Sequence, residues 1–395
     1  MEITALKIAI SYESKLVRRN WLFYLFIFGV LGYTVGVLIP WGSGINLLWS
    51  NVALASSILS RGVYFLNLLQ SLIVVFIVCD IYRKREKAET REVLFTRPIG
   101  NGQSFLGEFL GILVPFLVVD VVFMIVCMVI NIVEPDSLVN LWVPFFYLLV
   151  RVLPMLIFII GFSLFVTRLV KLPVICWFIL MAFLYFSYAF LVEPLHGILD
   201  FRGCLLPDSF SSLVGFMHVE DNLLQRGTFL LLGISFLCFS VPFARRLSNV
   251  PGRKFCYIVS ASLSLVFSLG LGYIYVEKYQ TRLKNRIAYR EAFLEYNEYP
   301  TARVIEHEIT YCPMGNKFSA TSLMKVQNRR KAKMDKFLLF LNPGLEVIKI
   351  ESNGQEVPFR RDCQIVIIER SLAPGNTIEL EMEYEGGIDE DIYQV

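Results

Sequence analysis

Two charged residues of this 395-residue chain lie inside long apolar runs, where a charge must be paired or hydrated. Asp120 falls in the run 105–131 and Arg151 in the run 143–166. At a rise of about 1.5 Å per residue, both lie roughly 12–16 Å from the outer ends of their runs. We therefore expect Asp120 and Arg151 to pair between neighbouring helices. The pair would be either a structural tie or part of the polar lining of a substrate path.

Two amides lie in a further apolar run, 62–80. Polar side chains inside membrane helices face the bundle interior or a water-filled cavity. We expect Asn67 and Gln70 to add to the lining of such a path.

Catalytic motifs are missing from the sequence. The zinc peptidase motif needs two histidines one helical turn apart with a glutamate between them, but His307-Glu308 is followed by Ile309, Thr310 and Tyr311. No glycine-rich phosphate loop ending in Lys and Ser/Thr occurs either. We expect no enzyme activity, no metal site and no cofactor in this chain, so that ATP and Mg²⁺ would be bound by a partner.

The remaining histidines and the cysteines carry little chemical signal. His196 and His218 are expected to be surface residues rather than ligands. The eight cysteines form no CxxC pair, and a disulfide between Cys312 and Cys363 stays open as a minor alternative.

A densely charged segment, 80–111, separates two apolar runs that are each long enough to cross a bilayer. Its basic residues predict a cytoplasmic location: Arg83, Lys84, Arg85, Lys87, Arg91 and Arg97. Residues 82–95 favour a helix, and Pro98 should end it. This segment is either a docking surface for a cytoplasmic partner or a solvated loop that only sets topology.

Composition indicates a polytopic membrane protein. Hydrophobic residues make up 55% of the chain, too many for a soluble domain of this size. The net charge of +3 is small, and we expect no nucleic-acid partner. Seven spans are predicted: 21–39, 62–80, 105–131, 143–166, 173–192, 227–243 and 255–276.

Charge distribution orients these spans. An amphipathic segment, 1–20, predicts an interfacial elbow helix before the first span. Arginine and lysine concentrate in alternate connections, which places the N-terminus in the cytoplasm and the last domain outside. Between the fifth and sixth spans, 193–226 is too polar to cross and predicts short helices on the outer face.

The polar C-terminal third predicts a second domain. Residues 277–300 continue the last span, 255–276, as a charged helical stalk. From 301 to 395 the pattern alternates with period two and is punctuated by turn residues, which is typical of a β-sandwich. The expected strands are 303–311, 317–327, 335–341, 345–350, 356–360, 364–369 and 377–384.

The segment around 82–99 resembles the coupling helix of ABC-2 type transporter permeases. The resemblance is carried by Glu86, Thr90, Glu92-Val93-Leu94, Thr96-Arg97-Pro98-Ile99 and Gly107. The sequence departs from that family at Glu89, where Gly is usual, and at Glu108, where Lys is common.

The resemblance covers roughly residues 1–250 and implies a six-helix transmembrane domain over 21–247, to which 255–276 adds one span. It implies a permease subunit, expected to be an exporter, in a bacterial cytoplasmic membrane with its last domain periplasmic or extracellular. A separate ABC ATPase would contact Glu86, Thr90, Glu92, Val93, Leu94, Arg97 and Pro98. Membrane lipid and a second permease, as homodimer or heterodimer, are the other expected partners.

The last domain resembles the N-terminal β-domain of aminopeptidase N-like zinc proteases over roughly 305–390. Matching stretches are Ser319-Ala320-Thr321, Leu338–Leu345, Leu372–Gly375 and Tyr384–Gly387. We expect no counterpart of the catalytic domain of those enzymes within residues 1–395. An alternative function therefore stays open, in which the chain is a membrane-anchored binding or scaffold protein that presents this domain.

Overall fold

The computed structural model describes most of the chain, which divides into two compact units, Met1–Glu277 and Lys278–Val395. The described residues are 2–38, 56–85, 101–133, 140–170, 172–211, 215–216, 218–243, 251–315 and 317–392.

Helices build the first unit. In chain order they are α1 Glu2–Arg18, α2 Trp21–Tyr33, α3 Ser57–Arg85, α4 Asn101–Val133, α5 Trp142–Phe146, α6 Leu153–Leu169, α7 Pro173–Ala189, α8 Val219–Ser240 and α9 Pro251–Tyr296, the last of which extends into the second unit. Six helical runs among the described residues are long and apolar enough to cross a membrane: Trp21–Leu38, Ile58–Arg85, Gly102–Ile132, Trp142–Leu169, Val219–Ser240 and Lys254–Tyr296. Helix α7 is apolar but has only 17 residues.

Glycines let neighbouring helices approach closely at two crossings. A Cβ atom added at Gly233 of α8 would lie 2.7 Å from the Cα atom of Phe158, and one added at Gly161 of α6 would lie 2.6 Å from the Gly233 carbonyl oxygen. Gly107 and Gly111 of α4 give α1 the same kind of access, as in the small-residue interfaces of membrane helices. The predicted elbow segment is therefore a helix packed on α4.

A π-helical turn, Tyr147–Val152, joins α5 to α6. Such a turn holds one more residue than an α-helical turn and changes where its side chains point. Tyr147, Arg151 and Val152 are all buried.

The described residues of the second unit form eight strands, which follow a small hairpin of the first unit, β1 Phe210–Ser211 and β2 Gly215–Phe216. They are β3 Arg303–Met314, β4 Lys317–Gln327, β5 Phe337–Phe340, β6 Leu345–Ser352, β7 Gln355–Glu356, β8 Phe359–Asp362, β9 Ile365–Ile368 and β10 Thr377–Gly386. Every predicted strand has a counterpart. The predicted strand 356–360 is divided in two around Pro358, which has no N–H to donate to a ladder.

Two antiparallel sheets face each other across one core. The first has the order β3-β4-β10-β6-β7 and the second β5-β9-β8. Alternate residues of β4 and β10, such as Met324 and Leu380, meet Phe337 and Val366 of the second sheet. The C-terminal region is thus a β-sheet domain with a core of its own.

The expected stalk is part of this domain rather than a free helix. In α9, Ala292 and Tyr296 pack on Leu338, Ile365 and Ile367 of the second sheet. The backbone carbonyl of Tyr289 accepts a hydrogen bond from the Gln364 amide, 2.7 Å long. These contacts cover the outer face of the sheet β5-β9-β8 because its apolar residues alternate toward the helix.

The polar segment between α7 and α8 differs from its prediction. Instead of short helices throughout 193–226, its described residues form a 3-10 turn, Pro194–Gly197, and the hairpin β1–β2, and α8 already begins at Val219. The first turns of α8 are polar but buried, so their polarity does not mark a loop.

Candidate functional site

One ion cluster joins four helices at the end of α3. Glu108 of α4 accepts hydrogen bonds from both Arg85 of α3 and Arg168 of α6, the latter at 2.5 Å. The other amino group of Arg85 pairs with Glu13 of α1. We call Glu13, Arg85, Glu108 and Arg168 the Glu108 cluster. Its two carboxylates are less than a tenth exposed as residues, so the charges are held largely out of water.

Local packing positions the cluster. Gly107 and Gly111 bracket Glu108 and bring α1 against α4, so that a Cβ atom at Gly111 would lie 2.3 Å from the Cβ atom of Glu13. Burial raises the pKa of Glu13, Arg85 lowers it and the nearby Glu108 raises it further. Arg85 therefore holds together two carboxylates that would otherwise repel each other.

Asp120 is bound by an amide, not by an arginine. The Nε2 atom of Gln70 donates to both carboxyl oxygens of Asp120, at 2.9 and 3.0 Å, and neither residue is exposed. The predicted pairing of Asp120 with Arg151 is wrong. Similar depth in two helices does not make two side chains face each other, and the π turn redirects Arg151 elsewhere.

Arg151 pairs with the segment that follows α7. Its guanidinium lies 3.2 Å from the carboxylate of Asp208. Asp208 also accepts from Ser60 of α3 at 2.9 Å, and its backbone carbonyl accepts from the Tyr147 hydroxyl at 2.7 Å. Asp208 is therefore tied to α3 through Ser60 and to the π turn through Arg151 and Tyr147.

Arg226 of α8 is the largest fully buried side chain of the described residues. It donates to the backbone carbonyls of Phe201 at 2.8 Å and Asp200 at 3.0 Å, and to the side chain of Gln225 at 2.6 Å. A Cβ atom at Gly203, whose φ is +70°, would lie 2.6 Å from the Arg226 guanidinium. The polar residues of this end, Arg151, Asp200, Arg202, Asp208, Asn222, Gln225 and Arg226, are called the Arg226 cluster.

Asp200 organises the turn at the centre of the Arg226 cluster. One oxygen accepts from the backbone and side chain of Arg202, both at 3.1 Å, and the other accepts from the Cys204 N–H at 2.7 Å. Burial alone would raise the pKa of Asp200, but Arg202 and these donors lower it below its usual value. Burial, with the neighbouring Asp200 carboxylate, raises the pKa of the Cys204 thiol to about 12.

Asn67 and Gln70 lie inside the helix bundle. Asn67 donates to the Arg151 carbonyl at 3.4 Å, and it is 1% exposed. An apolar groove between α3 and α7 is lined on the α3 side by Leu68, Ser71 and Leu72, on a different face from these two amides. Asn67 and Gln70 do not line that groove.

The residues predicted to contact an ATPase lie outside the described residues: Glu86, Thr90, Glu92, Val93, Leu94, Arg97 and Pro98. The Glu108 cluster lies beside them in sequence, since α3 ends at Arg85 and α4 begins at Asn101.

Sequence reasoning missed both clusters as units. The sequence marks Arg85 and Arg168 as cytoplasmic charges and Glu108 as a departure from the family pattern, but it does not show that they meet. The available signal was Glu108 itself, an acidic residue at the start of an apolar helix on the side of the membrane where the sequence also places Arg85 and Arg168. For Arg226 the signal was a polar stripe, Asn222, Gln225 and Arg226, at helical spacing before an apolar run.

The second unit brings His307 to a strand, not to a metal-binding helix. The Nε2 atom of His307 lies 2.9 Å from the Ser322 hydroxyl, which lies 3.2 Å from the Tyr384 hydroxyl. Cys312 and Cys363 are both free thiols, so the alternative disulfide is not formed.

Comparisons with known proteins give one partial likeness. No protein-family model matches the chain, and no curated protein matches it. The M1 zinc metallopeptidase from Deinococcus radiodurans matches with 24% identity over 22% of this chain and a TM-score of 0.20. A two-domain M1 zinc metallopeptidase mutant bound to L-arginine gives the same values. Each match spans 21% of the peptidase chain, about a fifth of its length.

Proposed function

We propose that this chain is the permease subunit of an ABC exporter, in which a separate ATPase supplies the energy. The single observation that supports this proposal is the Glu108 cluster. It binds together the two helices, α3 and α4, that flank the charged segment 86–100, and it extends to α1 and α6.

A segment that transmits movement to a helix bundle must be attached rigidly to the helices that it moves. Arg85 and Glu108 hold the end of α3 to the start of α4, so a force on the segment between them acts on both helices together. Arg168 passes that displacement to α6, which crosses α8 at Gly161 and Gly233. Packed helices move as rigid bodies in such transitions. The proposed role of 82–99 is to dock on the ATPase and to transmit its closure to this bundle.

The experiment is affinity purification of the full-length chain from its native membranes, followed by an ATPase assay on the eluate. The variant replaces Glu92, Val93 and Leu94 with alanine. We expect the wild type to retain an ATPase and the triple variant to lose it. A purified wild-type assembly without ATPase activity would overturn the proposal.

A second function is favoured by one specific observation. Strand β3 is an edge strand of 12 residues, all of them exposed, and exposed edges can pair with an extended peptide. In a membrane-anchored binding protein, β3 rather than the segment 82–99 would capture the partner.

A matched control separates the two functions. Glu308, Ile309 and Thr310 of β3 are replaced with alanine, a change of the same size as the first triple variant. The permease proposal expects this control to keep the ATPase. Loss of a co-purifying protein in the β3 variant alone would favour the binding protein.

A further inference from the structure

We propose that the groove between α3 and α7 binds one acyl chain of an anionic phospholipid, whose phosphate is held by Arg202. This site does not require that the chain transports anything, so it stands apart from the proposed function. The site consists of this apolar groove, called the trough below, and of a buried cation, Arg202, at its edge.

The trough is built for a hydrocarbon chain. Its volume is about 340 Å³, and its walls are Leu68, Ser71, Leu72, Met181, Leu184, Tyr185, Tyr188, Phe201 and Arg202. That volume is at the lower end of the roughly 300–1,000 Å³ of ligand pockets, which suits one chain better than two. Except for Ser71 and Arg202, the wall is aliphatic or aromatic.

The trough faces outward from the helix bundle. Tyr185 and Tyr188 of α7 are 63% and 57% exposed, and Phe178 and Phe186 continue this exposed apolar face along the same helix. Residues on such a face of a membrane helix meet lipid. An acyl chain can therefore reach the trough from the bilayer without crossing polar protein.

Arg202 supplies the polar part of the site. The residue is 5% exposed, and its guanidinium lies 5.1 Å from the centre of the Tyr188 ring. Only its Nε atom is held by Asp200, at 3.1 Å, and its buried Nη1 atom has no hydrogen-bond partner. A buried donor without an acceptor is costly, and a phosphate oxygen is the strongest acceptor that a membrane offers.

The surroundings favour an anionic group over a zwitterionic one. Arg151 and Arg226 both approach Gly203, next to Arg202 in the chain. Of the nearby carboxylates, Asp200 pairs with Arg202 and Asp208 with Arg151, while Arg226 donates to carbonyl and amide oxygens. Asp221 lies 3.4 Å from His218. The guanidinium of Arg226 is therefore left without a direct carboxylate partner among the described residues, and its charge adds to the attraction.

The test uses the full-length chain in detergent and native mass spectrometry with added dioleoyl-phosphatidylglycerol or dioleoyl-phosphatidylcholine. We expect the phosphatidylglycerol adduct to dominate. Arg202→Gln should weaken it by about tenfold or more, the loss of one charged hydrogen bond. Arg61→Gln, an exposed arginine on α3, is the matched control and should leave the adduct unchanged.

A second variant tests the trough and protects against misfolding of Arg202→Gln. Leu184→Trp fills the groove while the cation stays, and it should weaken phosphatidylglycerol binding as strongly. Equal retention of both lipids by the wild type would overturn the proposal. So would a Leu184→Trp protein that keeps its lipid but loses self-association, since the groove would then belong to a second copy of the chain.

Discussion

Arg85, the last residue of α3, donates to Glu108, near the start of α4, and so joins the ends of the two helices that border the charged segment 86–100. The same carboxylate accepts from Arg168, and the same guanidinium binds Glu13. Four helices thus share one short chain of charges. Because Arg85 and Glu108 each have two partners, removal of either side chain breaks two ion pairs of the cluster.

Replacement of Glu108 with leucine should destabilise the helical unit by about 3 kcal/mol, since it leaves Arg168 and the Nη1 group of Arg85 without an acceptor. Thermal unfolding of the purified protein in detergent measures the loss. Arg83→Leu is the control, because its side chain is 70% exposed and its ion pair within the described part of the chain is with Asp80 on the same helix. We expect a change below about 1 kcal/mol there. Equal effects of the two variants would contradict the role of the cluster.

Gly233→Ala should destabilise the crossing of α6 and α8 by about 1–3 kcal/mol, because the new methyl group would meet the backbone of Phe158 at 2.7 and 2.8 Å and that of Ile157 at 2.9 Å. Gly270→Ala is the matched control, since no atom lies within 4 Å of its added Cβ and alanine favours a helix. Thermal midpoints of the two variants should move in opposite directions. A Gly233→Ala protein as stable as the wild type would show that the helices can separate at no cost.

A double-mutant cycle should find Asp120 coupled to Gln70 and not to Arg151. Gln70→Leu leaves the Asp120 carboxylate without its amide partner and should cost about 1–3 kcal/mol. Asp120→Asn should cost less, because an amide can still bond to Gln70. Folded yield and thermal midpoint of single and double variants give the coupling energy. Coupling of Asp120 to Arg151 as large as that to Gln70 would refute the structural assignment.

Acid should loosen the Arg226 cluster through Asp200. The pKa of Asp200 is lower in the folded protein than the value of about 3.9 expected for an unfolded chain, so its contribution is complete above that value and is lost as the pH falls. Thermal midpoints between pH 3 and pH 7 should therefore fall more steeply for the wild type than for Asp200→Asn. Parallel curves for the two proteins would mean that Asp200 does not stabilise the fold.

Thiol labelling tests the predicted orientation of the second unit. Cys312 is exposed on β3, whereas the pKa of Cys204 is raised to about 12, which leaves little reactive thiolate at neutral pH. In intact cells, a membrane-impermeant maleimide should label a variant that retains only Cys312, and label one that retains only Cys204 slowly. Labelling of Cys312 only after the cells are opened would place the domain in the cytoplasm and reverse the topology.

Much of the fold follows from local patterns. Alternation and turn residues predicted every strand of the second unit, because each sheet turns one face toward the core that the two sheets share. The helical runs were predicted from hydropathy with errors at their ends. Span 227–243 begins eight residues earlier, at Val219, because Arg226, Asn222 and Gln225 are buried against backbone carbonyls of the preceding segment.

The site was harder to predict because it depends on which faces of distant helices meet. Asp120 and Arg151 were paired because they lie at a similar depth in the membrane. The direction in which each side chain points around its helix decides the partner, which is Gln70 for Asp120 and Asp208 for Arg151. The helix predicted over 277–300 forms as the end of α9, which reaches Tyr296. Its packing on the second sheet could not be predicted, because its few apolar residues match a sheet face that is not visible locally. Glu13 can contact Arg85 because Gly107 and Gly111 let α1 pack closely against α4.

The π turn Tyr147–Val152 has a consequence for the length of this helix. A wide turn is how a helix accommodates one surplus residue while the residues beyond it keep their faces. Removal of one residue there would leave a plain α-helix with the Gly161 crossing intact, but without the redirected Arg151. The ion pair that ties Asp208 to the bundle therefore depends on the extra residue of this turn.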